Sequence, residues 1–371
     1  MNYNVFPVYS PRQMKDFFRL PFVVYRHDTN WVAPITSEVR RTLNEKLNPY
    51  FANARLKLFL GYKNGAPVSR VAVIINRVHQ EKFGTRSAFF GFFESLNDPD
   101  AVYHLFEAVE SYCQAQGVES LEGPFNPNHY SELGLQVNRF GTPPTFFQPY
   151  NPWYYVNLLE DYGFFESARF QTRKNEKIRD YVLERYGNQA ASFDTGNYTV
   201  RSFSMADFNN ELERIREVNN DAFSSNWHFL PLSKEEYLFS AKYLHLVTEP
   251  PLIKIVENKR EPVGVLHCVL DINPLLRKMK GKPGPLKYYR FLQERKKVRK
   301  LVIFSVAIKK AYQRTRVYSL LLKEFCPVVL KYQVLETTWM SEDNLHAVKA
   351  AEHFALKPDK QFVIYKKKVS N

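Results

Sequence analysis

Thr338-Trp339-Met340-Ser341-Glu342-Asp343-Asn344, followed by Leu345 to Phe354 and then by Phe362-Val363-Ile364-Tyr365, is the stretch whose reading decides the fold. Val334 to Met340 reads as a strand, the Glu-Asp-Asn corner opens a helix over Asn344 to Phe354, and Gln361 to Lys367 reads as a returning strand. Upstream lie a strand over Lys300 to Ala307 and a helix over Arg316 to Tyr332. Before them come strand Tyr198 to Phe203, a Ser204-capped helix to about Asn219, a helix over Lys234 to Tyr243, and hairpin strands Leu252 to Glu257 and Pro262 to Leu270.

The first half follows the same order. Leu56 to Tyr62 and Val68 to Ile75 read as hairpin strands around an Asn64-Gly65 turn, and Ser87 to Phe93 as a third strand. Asp98 is the expected N-cap, with Pro99 at the first position, of a helix whose Val102, Leu105, Phe106, Val109 and Tyr112 recur at helical spacing. Strand Ser120 to Gly123, a Pro-rich loop, helix Pro152 to Tyr162 and strand Phe164 to Gln171 complete it. The expected fold class is therefore α/β, an α+β mixed sheet flanked by helices and made twice. The expected domains are 1–171 and 197–371, joined by a link over 172–196 rich in charge and in Gly, Asn and Ser.

Composition bounds the function. A chain of 371 residues is comfortable for two cores. The 30 Phe and 23 Tyr suit filled cores, apolar clefts or a membrane interface. No run reaches the roughly 18 apolar residues of a membrane span, and Met1 to Ser10 lack the pattern of a secretory signal. The expectation is a cytoplasmic protein, with peripheral contact at the inner membrane surface left open. Cys113, Cys268 and Cys326 are far apart and odd in number, which favours reduced thiols, and the nine His form no ligand-spaced cluster, so no metal is expected. The formal charge of +14 attracts polyanions: nucleic acid, anionic lipid or a phosphate-bearing cofactor. Much of it sits in Arg277 to Lys282 and Arg290 to Lys300, a segment that equally fits a solvated loop and helix without a partner.

Gly91-Phe92-Phe93-Glu94, Gly123-Pro124-Phe125-Asn126, Tyr150-Asn151-Pro152-Trp153-Tyr154-Tyr155 and Trp339 to Asn344 together give the chain a resemblance to the GNAT (GCN5-related N-acetyltransferase) superfamily. Within it, the chain resembles a double-domain bacterial subgroup that includes ceramide synthase-like proteins. The resemblance implies a tandem GNAT-like fold and an acyl-CoA-dependent N-acyltransferase, with acyl-CoA or acetyl-CoA as co-substrate and an amine acceptor such as a sphingoid base. It places a substrate cleft where the strand over 335–341 stops.

Residue by residue, the resemblance sets the thioester carbonyl against a backbone N–H near Val306 or Ala307. The diphosphate loop corresponds to Gln313-Arg314-Thr315-Arg316-Val317-Tyr318. Gln313 fits it, but Arg316 and Tyr318 replace small residues that let phosphate approach a helix N-terminus, so Arg314 and Arg316 side chains would hold phosphate instead. In the first half, Glu94 to Asp100 brings three carboxylates that repel a diphosphate, so that domain is expected to lack a CoA site. Glu342 is the first choice for the base that takes a proton from the acceptor ammonium, and Asp271 the second. Asn344 matches a position that contacts the cofactor arm, and equally fits a helix N-cap. The usual tyrosine acid for the thiolate is missing from 345–356, where only His346 and His353 offer a proton. Trp227, Asn126 and Tyr150 are candidate acceptor contacts; packing alone also explains them. Two other functions stay open: a non-catalytic ligand-binding protein on a degenerate GNAT scaffold, and a tRNA-dependent aminoacyl transferase, although nucleic acid is the less favoured partner.

Overall fold

The structure, a computed structural model, describes residues 2–128, 131–187 and 195–369. The chain forms two compact units: Met1–Phe170 with Leu276–Gly284 and Lys360–Asn371, and Gln171–Leu275 with Pro285–Asp359.

The first unit opens with β1 (Tyr3–Pro7), α1 (Pro11–Val24) and α2 (Thr36–Thr42), elements that precede the hairpin read from the sequence. A capping box starts α1: Ser10 Oγ accepts from Gln13 N while Gln13 Oε1 accepts from Ser10 N. The hairpin strands are β2 (Ala54–Lys63) and β3 (Ala66–Asn76), and its turn has positive φ at both Asn64 and Gly65, as Asn-Gly allows. There follow α3 (Arg77–Phe83), β4 (Ser87–Ser95), α4 (Pro99–Ala115), β5 (Ser120–Gly123), β6 (Leu135–Gln136), α5 (Tyr155–Asp161) and β7 (Phe165–Asn175). Asp98 caps α4 by accepting from Ala101 N at 3.2 Å. One α4 stripe, Val102, Leu105, Phe106, Val109 and Cys113, is sealed against the sheet with Phe90, Phe93 and Tyr155. Each large side chain buried this way contributes about 1.5–3 kcal/mol.

The second unit contains α6 (Ile178–Tyr186), β8 (Tyr198–Ser202), α7 (Phe208–Ala222), α8 (Lys234–Ser240), α9 (Leu244–Val247), β9 (Ile253–Asn258) and β10 (Glu261–Leu270). Then come, in chain order, α10 (Asn273–Met279), α11 (Pro285–Arg295), β11 (Lys300–Ile308), α12 (Val317–Val329), β12 (Val334–Thr337), β13 (Met340–Ser341), α13 (Leu345–Glu352) and β14 (Lys357–Lys368), of which α10 from Leu276 and β14 from Lys360 belong to the first unit, while β7 from Gln171 belongs to the second. The segment read as a link thus carries the end of β7 and all of α6; its residues 188–194 lie outside the described residues. Ser204 precedes a 3-10 turn, not α7, and the strand read over 334–340 is broken at Thr338-Trp339 into β12 and β13.

Within each unit four antiparallel strands lead to a parallel pair: β1-β2-β3-β4 then β5, and β8-β9-β10-β11 then β12. The strand beside that pair is not the one chain order suggests. In the first unit β14 lies antiparallel to β5, from Tyr365↔Gly123 to Lys368↔Ser120. In the second, β7 lies antiparallel to β12, with Leu335↔Asn175 and Glu336↔Lys174. The strands expected to close each half therefore close the other one. Hydrophobic periodicity specifies a strand but not its neighbour, which explains the difference.

Part of the basic insertion belongs to the first unit. Gly281 O accepts from Thr36 N at 3.1 Å, and Arg277 Nη1 donates to Thr29 O at 3.2 Å. Gly281 has φ +73° and a Cβ there would meet Phe22 at 2.8 Å, so the close approach requires glycine.

Candidate active site

In the second unit β11 and β12 run side by side only from Lys300↔Val334 to Ile303↔Thr337. Thr338 makes the last links, N to Ile303 O at 3.0 Å and Oγ1 to Phe304 O at 3.3 Å. Phe304 is an extra residue on β11: His267 of β10 faces Ser305, while the next residue, Cys268, faces Ile303. Such a bulge increases local twist and re-aims the strand. Beyond it β11 continues along β10 to Ile308, whereas β13 pairs with β7. The two parallel strands have parted, and Val306 and Ala307 lie on the β11 side of the parting.

The residues between β11 and α12 line up near this end. Gln313 Nε2 donates to Ile308 O at 3.4 Å. Arg314 is exposed without a partner among the described residues, and Arg316, also exposed, is the N-cap of α12 with no side-chain cap bond. Lys310 is tied down, its N–H on Asp221 Oδ1 at 2.6 Å and its ammonium on Ser225 Oγ at 2.8 Å. Tyr318 reaches α13: its hydroxyl donates to Ala350 O at 2.9 Å and its ring meets His353 edge-on at 5.3 Å. Burial raises the Tyr318 pKa, so it stays a neutral hydrogen-bond donor. Glu342 lies half-buried in the turn after β13. Asn344 caps α13, its Oδ1 accepting from Ala347 N at 3.0 Å. Trp227 packs edge-on against His228 at 4.2 Å in the loop after α7.

Asp271 is not part of this end. Its carboxylate is 3.4 Å from Lys300 Nζ, whose other partner is Glu336 at 2.7 Å, so it marks the start of β11. Seven residues of strand separate Lys300 from Ala307, roughly 23 Å. The choice of Asp271 followed from its position after a strand, which does not reveal the end of the sheet at which that strand stops.

The corresponding end in the first unit is drawn together. Phe125 N donates to Phe90 O at 2.7 Å, and Asn126 Oδ1 accepts from Phe92 N at 3.2 Å. A Cβ on Gly91 would lie 2.6 Å from Asn126 Oδ1, and one on Gly123 would lie 2.2 Å from Phe90 O. Asn126 therefore satisfies the strand backbone with its side chain. Asp98, which caps α4, also accepts from Lys63 Nζ at 2.6 Å and from Tyr3 OH, so a carboxylate fills the place at that helix start. Tyr150 OH donates to Asp28 Oδ2 at 2.7 Å, and Tyr150 O accepts from Tyr25, which stacks on Trp31 at 4.8 Å.

Beside this end is a charged group that periodicity did not disclose. Arg70 is opposite Glu94 on β3 and β4, buried and 3.7 Å from it, and its Nη1 donates to Phe17 O at 2.7 Å. Tyr155 OH donates to Glu94 Oε2 at 2.8 Å. Burial raises the Glu94 pKa against the pull of Arg70, and burial lowers that of Arg70. The lone arginine in the apolar run Val68 to Ile75 was the available signal.

Among the described residues no group of three or more His, Cys, Asp or Glu is placed to hold a metal, and no helix is long and apolar enough to cross a membrane. Cys113 and Cys268 are buried free thiols and Cys326 is half-buried.

A mixed strand arrangement made twice, each time with a bulged fourth strand parting from or tied to a parallel neighbour, defines the tandem GNAT fold, and this chain has it. The whole chain superposes on 99% of a tandem GNAT protein from the clavulanic acid biosynthesis pathway, with a TM-score of 0.58 at 9% identity. By sequence it is similar to a protein of Caulobacter vibrioides named bacterial ceramide synthase, 27% identical over 373 residues that cover 98% of this chain and 97% of the relative. It is also similar to the Escherichia coli protein YghO, 26% identical over 97% of this chain and 94% of that protein. No family model matches the chain.

Proposed function

We propose that this protein is an acyl-CoA-dependent N-acyltransferase that acylates a long-chain amine such as a sphingoid base. The parting of β11 from β12 after Thr338 is the observation that carries the reading. A backbone N–H at Val306 or Ala307 would meet the thioester carbonyl there, where a donor aimed at the developing oxyanion lowers the barrier most. Gln313, Arg314 and Arg316 would hold the phosphates, by side chains at a helix start instead of by a small-residue loop. Glu342 would take the proton that an acceptor ammonium must lose before it can attack. The long-chain acceptor rests on the relative named ceramide synthase, which the chain matches along nearly its full length.

The test is release of CoA thiol from palmitoyl-CoA in the presence and absence of sphinganine, with the N-acyl product read by mass spectrometry. Amine-dependent release, lost by about 100-fold or more in Glu342→Gln, is expected. Stabilisation by palmitoyl-CoA without transfer would return the degenerate-scaffold reading, to which Arg316 and Tyr318 at the loop point. No response to either compound would sink the proposal.

Exposed side chains at the start of α11, of which Leu286, Tyr289 and Arg290 lie on one side, support a membrane-bound substrate. Leu286, Tyr288 and Tyr289 are 63%, 42% and 61% exposed, and Lys287 and Arg290 are exposed beside them. Apolar and aromatic tips among basic groups suit an anionic interface. Sedimentation with phosphatidylglycerol vesicles but not with phosphatidylcholine vesicles, weakened by Leu286→Ser with Tyr289→Ser, is the expected result; equal binding to both would contradict it.

A further inference from the structure

His267 and Ser305 form a directly opposed pair on β10 and β11 at the bulge. A Cβ on Gly264 would meet Val317 and Leu321 of α12, so strand alternation points Val265 and His267 to the other face, which α7 covers. Ser305, opposite His267, shares that face. His267 is 2% exposed and neither ring nitrogen has a hydrogen-bond partner; Ser305 is 8% exposed and its Oγ has none. Asn219, wholly buried on the α7 stripe with Leu212 and Ile215, leaves both side-chain polar atoms without partners. Three sealed side chains in one layer thus hold five unpartnered polar atoms. Each unsatisfied buried group costs about 1–3 kcal/mol, and native folds hold few of them. His267 and Ser305 lie at the bulge where β11 and β12 part.

We propose that His267, held in place opposite Ser305, is the catalytic relay that carries a proton from the attacking nitrogen to the departing sulfur. This rests on the acyltransferase reading and supplies the thiolate acid for which 345–356 offer only His346, exposed on α13, and His353, which packs on Tyr318. The acceptor arrives as a free primary amine after its ammonium has lost one proton. Its nitrogen forms a bond to the thioester carbonyl carbon and becomes acidic as it does so. It gives a proton to an imidazole nitrogen of His267, the C–S bond breaks with its electron pair going to sulfur, and the imidazolium hands the proton to the thiolate. The products are an amide and free CoA thiol, with no proton gained or lost from amine and thioester. Burial lowers the His267 pKa and holds the resting imidazole neutral, and the oxyanion and thiolate that form beside it would raise its basicity as the reaction proceeds. Ser305 Oγ, which makes no hydrogen bond to the resting ring, would orient the attacking nitrogen once the amine is bound.

The experiment measures palmitoyl transfer to sphinganine by wild type, His267→Gln and Ser305→Ala, together with palmitoyl-CoA affinity by titration calorimetry and the melting temperature. The expected result is a kcat lower by about 10²–10⁴-fold in His267→Gln and by about tenfold in Ser305→Ala, with palmitoyl-CoA affinity unchanged. Wild-type transfer with both variants within threefold of it overturns the relay. If His267→Gln does not fold, Ser305→Ala, which removes one oxygen, decides by the same threefold criterion. If wild type transfers nothing, the acyltransferase reading fails by itself. The ¹⁵N-imidazole signals of wild type titrated with palmitoyl-CoA and then sphinganine then decide whether His267 meets ligand; no shift with either overturns the site.

Discussion

The first unit's β4 and β5 and the second unit's β11 and β12 are the same piece of architecture in two states. In both, the parallel register puts a buried glutamate on the shorter strand, Glu122 opposite Phe89 and Glu336 opposite Val302, each paired with a lysine. In both, one extra residue bulges the longer strand just past the last link, at Phe90 or Ile303. Then they diverge. Gly91, Gly123 and Asn126 let the first pair close on itself, while Phe304, Thr337 and Thr338 leave the second pair to part. Counted from the last link, Arg70 and Glu94 occupy the places of Val265 and Ala307, and Ala72 that of His267. One copy ties the end of its parallel pair through Asn126; the other leaves His267 and Ser305 without hydrogen-bond partners beside the parting.

The most drastic way to break this comparison is to cut the chain between the halves. Each unit needs a strand from the other half of the sequence, β14 beside β5 and β7 beside β12. A fragment of residues 1–171 would expose the edge of β5 that β14 covers and the core side chains that pack on Val363 and Tyr365. We expect fragments 1–187 and 195–371 to be insoluble or unfolded alone, and to recover native circular dichroism when co-expressed. A monomeric fragment 1–171 with a cooperative melt would show that chain order, after all, describes the folding units.

Grafting one copy's residues onto the other is the next test. Arg70→Val leaves Glu94 buried opposite an apolar residue and is expected to cost about 3–5 kcal/mol in urea unfolding. Adding Glu94→Ala reproduces the Val265–Ala307 pair of the second unit, and most of that loss should return, because an apolar pair carries no desolvation cost. Failure of the double variant to recover would mean that Tyr25, Tyr155 and Phe17 depend on the charges they touch.

The second copy's histidine gives a pH signature that Ala72 cannot. The folded-state pKa of His267 lies near 3, below the usual value of about 6.5, so its share of stability is complete above pH 6.5. It is lost as pH falls from there toward 3, because the unfolded chain takes up a proton that the folded chain refuses. The slope from this group approaches about 1.4 kcal/mol per pH unit. The difference in unfolding free energy between wild type and His267→Gln should therefore shrink on acidification across that window. Parallel curves would show that the imidazole is not held neutral.

The fold was legible because its signals are local. The Asn64-Gly65 turn, the Asp98-Pro99 helix start and the α4 stripe each specify their own element whatever the rest of the chain does. Strand exchange was not legible, since β7 and β14 are both alternating strands and nothing in either names its neighbour. The corner at Glu342 to Asn344 drew attention as a polar break after a strand, and Asn344 does cap the helix there. His267 and Ser305 sit inside apolar runs, where a single polar residue reads as a tolerated exception until the register puts the two opposite each other.

The smallest effect separates two readings of Asn126. Sequence position made it a candidate acceptor contact, whereas its Oδ1 spans the gap to Phe92 N. Asn126→Ala strands that N–H and should cost about 1–3 kcal/mol. Thr338→Val, at the last link of the parted pair, removes a donor to Phe304 O and to Ile303 O, the latter already served by Thr338 N, and should cost about 0.5–1.5 kcal/mol. The order of the two reverses in catalysis: Thr338 borders the proposed thioester site, so its loss should lower acyl transfer while Asn126→Ala leaves kcat unchanged. If Asn126→Ala instead abolishes transfer without altering the melting temperature, Asn126 touches the acceptor and the tied end of the first unit is not closed to substrate.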